Sequence, residues 1–131
     1  MFSKIIFCSI FTLAICACKQ SNKIQKTPEI VKAYIKRPEL DSVSKQDLQM
    51  NNQIHFSKSN LKITMAVAYF DQGTFKNVRQ QTFAGNKLGF LNSLTWVSNA
   101  KTPFRITIAD IHYIDKKGNK GIAEEFSFIV Y

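Results

Sequence analysis

Thiols, imidazoles and glycines are scarce in this chain, which has three cysteines, two histidines and five glycines among 131 residues. All three cysteines, Cys8, Cys16 and Cys18, stand before residue 19, so the long remainder has no thiol for a disulfide staple or a thiolate metal site. His55 and His112 lie far apart, and neither has a second histidine at ligand spacing. No metal and no cofactor is expected. Serines and threonines are plentiful, yet there is no Gly-x-Ser-x-Gly elbow, no His-Glu-x-x-His and no Ser-x-x-Lys with its supporting motifs. Gly85-Asn86-Lys87-Leu88-Gly89 lacks the spacing of a phosphate-cradling loop and reads as a hairpin turn. Glu124 and Glu125 are adjacent, point to opposite faces of a strand, and so do not form a catalytic carboxylate pair. These gaps together argue against an enzyme.

A membrane-length apolar run is missing as well. The segment Ile5 to Ile15 falls short of the roughly 20 apolar residues that cross a bilayer. With Lys4 before it and a small residue, Ala17, after it, this stretch has the layout of a secretory signal. Ile15-Cys16-Ala17-Cys18 resembles the lipobox of bacterial lipoproteins, in which an aliphatic residue, a tolerant position and a small residue precede the modified cysteine. Cys16 occupies the tolerant position, where Ala, Ser or Thr is more usual, and Ile15 before it is too bulky for a cut there. The resemblance covers residues 1–18 and implies cleavage after Ala17 and lipidation of Cys18. Two or three acyl chains then anchor the chain without spanning the membrane, since two already give stable attachment. Lys19 is not the Asp that, in enteric-type bacteria, marks inner-membrane retention. An outer-membrane anchor facing the periplasm is the expectation.

Beyond the signal the chain is basic, with 17 Lys and Arg against 9 Asp and Glu. The excess concentrates in Lys19, Lys23, Lys26, Lys32, Lys36 and Arg37, opposed by Glu29 alone, and reads as a membrane-proximal basic tether. Anionic headgroups attract such segments within a Debye length. Nucleic acid is the other common partner of basic chains, but an exported protein rarely meets it.

Residues 18–50 read as that tether, lending the body one strand or one helical turn. Between Pro28 and Pro38, residues 29–37 fit either a turn or two of helix or, in preference, a short edge-type strand with Val31, Ala33 and Ile35 on one face. Ser44-Lys45-Gln46-Asp47 resembles a capping box and predicts a short helix through Met50.

From residue 51 to 131 the period is two, and all five glycines fall in this part. Leu61, Ile63, Met65, Val67 and Tyr69 form the apolar face of one strand, which Asp71-Gln72-Gly73 ends. A second alternation runs from Phe75 to Phe83, and a third is read through Leu88, Phe90, Leu94 and Trp96. Phe104, Ile106 and Ile108 make a fourth, after which the apolar positions slip to Ile111 and Tyr113, as a β-bulge produces. The turn Asp115 to Gly121 leads into Phe126, Phe128 and Val130. The expected fold is all-β: a small immunoglobulin-like sandwich or barrel of five to seven antiparallel strands.

Asp110 and His112 fall on one strand face and are a candidate polar pair, since a carboxylate there orients an imidazole. Trp96 and Tyr113 are candidates for an aromatic patch, although a lone Trp on an alternating strand is more often core. The leading function is a non-catalytic envelope lipoprotein whose β-domain binds another envelope protein, as an accessory subunit or scaffold, through an exposed strand edge. The alternative is an inhibitor or immunity-type protein against an envelope-acting toxin or lysin. A small-ligand carrier or enzyme comes third, because so small a domain leaves little room for a pocket.

Overall fold

Alternation of apolar and polar residues builds most of the elements, and two interruptions of that alternation decide which side faces the core. The structure, a computed structural model, describes residues 29–73, 78–93 and 95–131. In chain order these are β1 (Ala33–Ile35), β2 (Ser42–Val43), α1 (Lys45–Met50), β3 (Ile54–Phe56), β4 (Lys62–Asp71) and β5 (Arg79–Phe83). A 3₁₀ turn (Gly89–Ser93), α2 (Thr95–Ser98), β6 (Phe104–Ile114), β7 (Lys120–Ala123) and β8 (Phe126–Val130) follow. The domain is all-β, in two sheets, and neither closes into a barrel. The larger sheet has the order β2-β8-β6-β4-β5, with β7 pairing the far half of β6, and the smaller is β1 against β3. One pair is parallel, β2 with β8, so the sheet is not antiparallel throughout.

The long hairpin of β6 with β7 and β8 is set by its turn. The Asp115 carboxylate accepts from the backbone N–H of Lys117 (2.8 Å) and Asn119 (2.9 Å) and from Asn119 Nδ2 (3.0 Å), while Gly118 takes the positive φ the bend requires. β7 and then β8 run back along β6 in one register, Ile111 opposite Ala123 and Ile108 opposite Phe126. Between them the chain turns aside at Glu124, whose N–H donates to Val31 O (2.9 Å), joining the hairpin to the start of β1.

The expected slip in β6 is present. Phe104, Ile106 and Ile108 are buried, Asp110 takes a φ of 51°, and burial resumes at Ile111. A second slip, not read from the sequence, lies in β4, where the pairing with β6 shifts register between Ile63 and Met65. It inverts the rest of the strand. Leu61 and Ile63 are buried as expected, but beyond the slip the core takes Ala66, Ala68 and Phe70, and Met65 stands 42 % exposed.

The stretch read as a third strand is instead the 3₁₀ turn and α2. Leu88 and Leu91, then Val97 and Ala100, are buried at spacings of three, which is the helical repeat. The body also begins earlier than residue 51. Val31, Ala33, Ile35, Val43 and Leu48 are all core residues, and β1, β2 and α1 are integral to the domain rather than part of a tether. Ser44 caps α1 as expected, its Oγ accepting from Asp47 N at 3.1 Å. The Asp47 carboxylate does not complete the box and turns to Lys36 Nζ at 3.0 Å.

Candidate functional site

The two edges of the large sheet are treated differently. At one edge β2 is only two residues long, Lys45 N donates to Tyr131 O (2.9 Å), Tyr131 N donates to Val43 O (3.1 Å), and α1 follows at once. At the other, β5 pairs β4 over five residues, Ala66 opposite Phe83 through Phe70 opposite Arg79, and no strand pairs its outer side among the described residues. Natural edges are blunted by proline, lysine, bulges or a covering element. Arg79-Gln80-Gln81-Thr82-Phe83 carries neither proline nor lysine, and Arg79 through Thr82 are exposed. Phe83 pins the strand to the body by packing on Phe90, ring centroids 5.0 Å apart. About half of the backbone N–H and C=O groups of such an edge point away from the sheet and are offered to a further strand.

The face of the sheet turned from the core adds apolar area beside this edge. The slip in β4 puts Met65, Val67 and Tyr69 there, and the row Met65, His112, Ile122 crosses β4, β6 and β7 in register. Ile122 is 66 % exposed and Ile129 39 %.

The polar pair read from the sequence is not assembled. Asp110 is exposed on the β6 bulge, His112 is half-buried in the outward row, and no hydrogen bond or ion pair joins them. Among the described residues no group of three or more His, Cys, Asp or Glu side chains converges. Tyr113 is half-buried, packs on Phe56 with centroids 6.0 Å apart, and lies across Gly121. The side chain of Trp96 is outside the described residues.

Gly85-Asn86 is a bracket rather than an anion cradle. Asn86 Oδ1 accepts from Ile63 N (2.8 Å), its Nδ2 donates to Leu61 O (2.7 Å), and its backbone O accepts from Ile54 N (2.7 Å), tying β3 to β4. Beneath α1 a cavity of about 270 Å³ is walled by Leu48, Leu91, Val97 and Phe104, with Lys45 at its rim donating to Ser98 O. Ligand pockets usually start near 300 Å³.

The basic residues of the expected tether separate into three groups. Lys19, Lys23 and Lys26, with Ala17 and Cys18, lie outside the described residues. Lys32 stands where the chain enters β1, and Lys36 and Arg37 are at the opposite end of that strand. Lys36 is committed to Asp47, and this lysine, by hydrogen bond and charge, holds the Asp47 carboxyl below the usual carboxylate range. Sequence reading missed a different basic group. Lys62, Ile114 and Lys120 are neighbours across β4, β6 and β7, and Lys116 and Lys117 occupy the adjoining turn. Asn119, donating from both side chain and backbone, lowers the Asp115 carboxyl, and the Lys58 charge contributes. The five lysines, Lys58, Lys62, Lys116, Lys117 and Lys120, come from two separate stretches of sequence, and the pairing of β4 with β6 unites them.

Together these features define a small all-β domain with one closed edge, one open edge and a lysine-rich end. No family model, no curated protein and no solved structure matches the chain. No helix among the described residues is long and apolar enough to cross a membrane.

Proposed function

We propose that this chain is a bacterial envelope lipoprotein, cleaved after Ala17 and anchored through Cys18, whose domain is a non-catalytic binding module for another envelope protein. The observation that carries the binding part is the open β5 edge. A partner segment in extended form adds to it as a further strand, its backbone lying along Gln80 to Thr82 and its side chains beside Gln80 and Thr82, which stand opposite Tyr69 and Val67 on the outer face. The lipobox resemblance of residues 15–18 supports the anchor, and Lys19 supports the outer membrane as its destination.

Two proline variants test the edge. Successive residues of a strand direct N–H groups to opposite sides, so of Gln80→Pro and Gln81→Pro one removes an outward donor and leaves the ladder to β4 intact. The variant that keeps the parent melting temperature should lose its partner in affinity capture with in-cell crosslinking. Undiminished recovery of a stoichiometric partner by that variant would sink the edge reading, and a partner that proves to be a toxin or lysin would favour an inhibitor. For the anchor, Cys18→Ala should abolish lipid labelling and processing, and an unchanged labelled band ends the lipoprotein reading.

A further inference from the structure

We infer that the lysine-rich end of the sheet is a second membrane contact, which lays the domain on the anionic headgroups of the bilayer that holds its lipid. Lys58, Lys62, Lys116, Lys117 and Lys120 are all exposed there. The acidic residues toward this end are Asp115, Glu29, Glu124 and Glu125, the last two beside Lys32. Asp115 is already engaged by Asn119 and by the backbone of Lys117, so the balance at this end is positive.

The chain enters the domain at this same end. Ser57 N donates to Lys32 O (2.9 Å), Lys32 N donates to Ser57 Oγ (3.1 Å), and Glu124 N holds Val31 O. The first described residues, up to Lys32, therefore stand beside the β3–β4 loop that carries Lys58 and the β7–β8 junction. From Cys18 to Glu29 the chain reaches at most about 40 Å when extended. Any shorter path brings the lysines nearer the surface, and within about 8 Å of it, the Debye length at physiological salt, each gains attraction to anionic lipid. Lys87 and Lys101 lie away from this end, Lys87 bridging Gln53 beyond the far end of β1 and Lys101 just before β6. This uneven placement gives the membrane contact an orientation, with the β6–β7 turn down.

The inference rests on the lipoprotein reading, because Cys18 supplies the membrane. The two are tested apart by reconstituting the full lipidated protein into phosphatidylcholine vesicles with and without phosphatidylglycerol, then acylating accessible amines and mapping them by mass spectrometry. Flotation with phosphatidylcholine alone reports the anchor. The expected result is a severalfold fall in labelling of the five lysines when phosphatidylglycerol is present, reversed by high salt, with Lys87 and Lys101 unchanged. Equal labelling in both vesicles, or protection centred on Lys87 and Lys101, overturns the inference and leaves the anchor standing. If the protein does not float with phosphatidylcholine the anchor reading fails. Binding to phosphatidylglycerol vesicles with the same five lysines protected would then still uphold the contact, and its absence would end both. A variant with Lys116→Gln, Lys117→Gln and Lys120→Gln alters only exposed side chains and should lose the protection of Lys58 and Lys62 while keeping its melting temperature.

Discussion

Tyr113 lies across Gly121 so closely that a Cβ on the glycine would clash with the phenol Cζ and Oη. Gly121→Ala must push that ring from its place on Phe56, at about 1–3 kcal/mol for forced repacking. Chemical denaturation should show the loss, and the same substitution in a Tyr113→Leu background should cost distinctly less. Asn86 acts through hydrogen bonds instead. Asn86→Ala leaves Ile63 N and Leu61 O without their side-chain partners, and about 2 kcal/mol of destabilisation is expected, with the mutational ladder read in urea. Two exposed carboxyls add a small acid-sensitive contribution. Asp47 and Asp115 are both held below their ordinary value, so what each adds to stability is complete above the unfolded pKa of about 4 and drains away as pH falls through the lower folded value. The melting temperature should be level above about pH 5 and decline below about pH 4, and Asp115→Asn should reduce that decline.

At the scale of elements, most strands are visible in the sequence because period-two burial leaves a direct trace. Phe104, Ile106 and Ile108 in β6, Val31, Ala33 and Ile35 around β1, and the Ser44 cap of α1 all stand where alternation and capping chemistry put them. β4 is the instructive exception. Its larger apolar residues, Met65, Val67 and Tyr69, alternate without a break from Ile63, and only the pairing with β6 reveals the extra residue that turns them outward. Hydrophobicity ranks Met above Ala, but a close-packed layer accepts the smaller side chain, and Ala66 and Ala68 are fully buried. Met65→Ser should therefore change stability by less than about 0.5 kcal/mol, whereas Ala66→Leu should cost about 1–3 kcal/mol. The reverse ranking would restore the unbroken alternation. The 3₁₀ turn and α2 escaped for a related reason, since Leu88, Leu91, Val97 and Ala100 keep a period of three within a stretch whose Phe90 also mimics a period of two. The open edge is a property of strand order, which one-dimensional patterning does not carry.

For the whole molecule, polarity misplaces the boundary. Residues 31–50 look like a charged linker because Lys32, Lys36, Arg37, Glu39 and Lys45 are interspersed, yet the apolar residues between them close the core. A chain beginning at residue 51 loses Val31, Ala33, Ile35, Val43 and Leu48 together with β1, the partner of β3, and β2, which covers the outer side of β8. It should give the amide spectrum of an unfolded protein, while a chain beginning at residue 29 should fold. The lysine-rich end is likewise a whole-molecule property, assembled from the β3–β4 loop, β4 and the β6–β7 hairpin.

Strand order also bears on how such a chain travels. β8, last of the strands in sequence, sits inside the sheet between β2, near the start of the domain, and β6. A ribosome that has not yet released residues 126–130 holds back the strand that joins β2 to the rest of the large sheet, so that sheet stays incomplete until then. Under the proposed export, a polypeptide threading a translocation pore as an extended chain gains from that delay: the topology itself postpones closure, and any factor that keeps the chain unfolded competes with a structure that is not yet able to form.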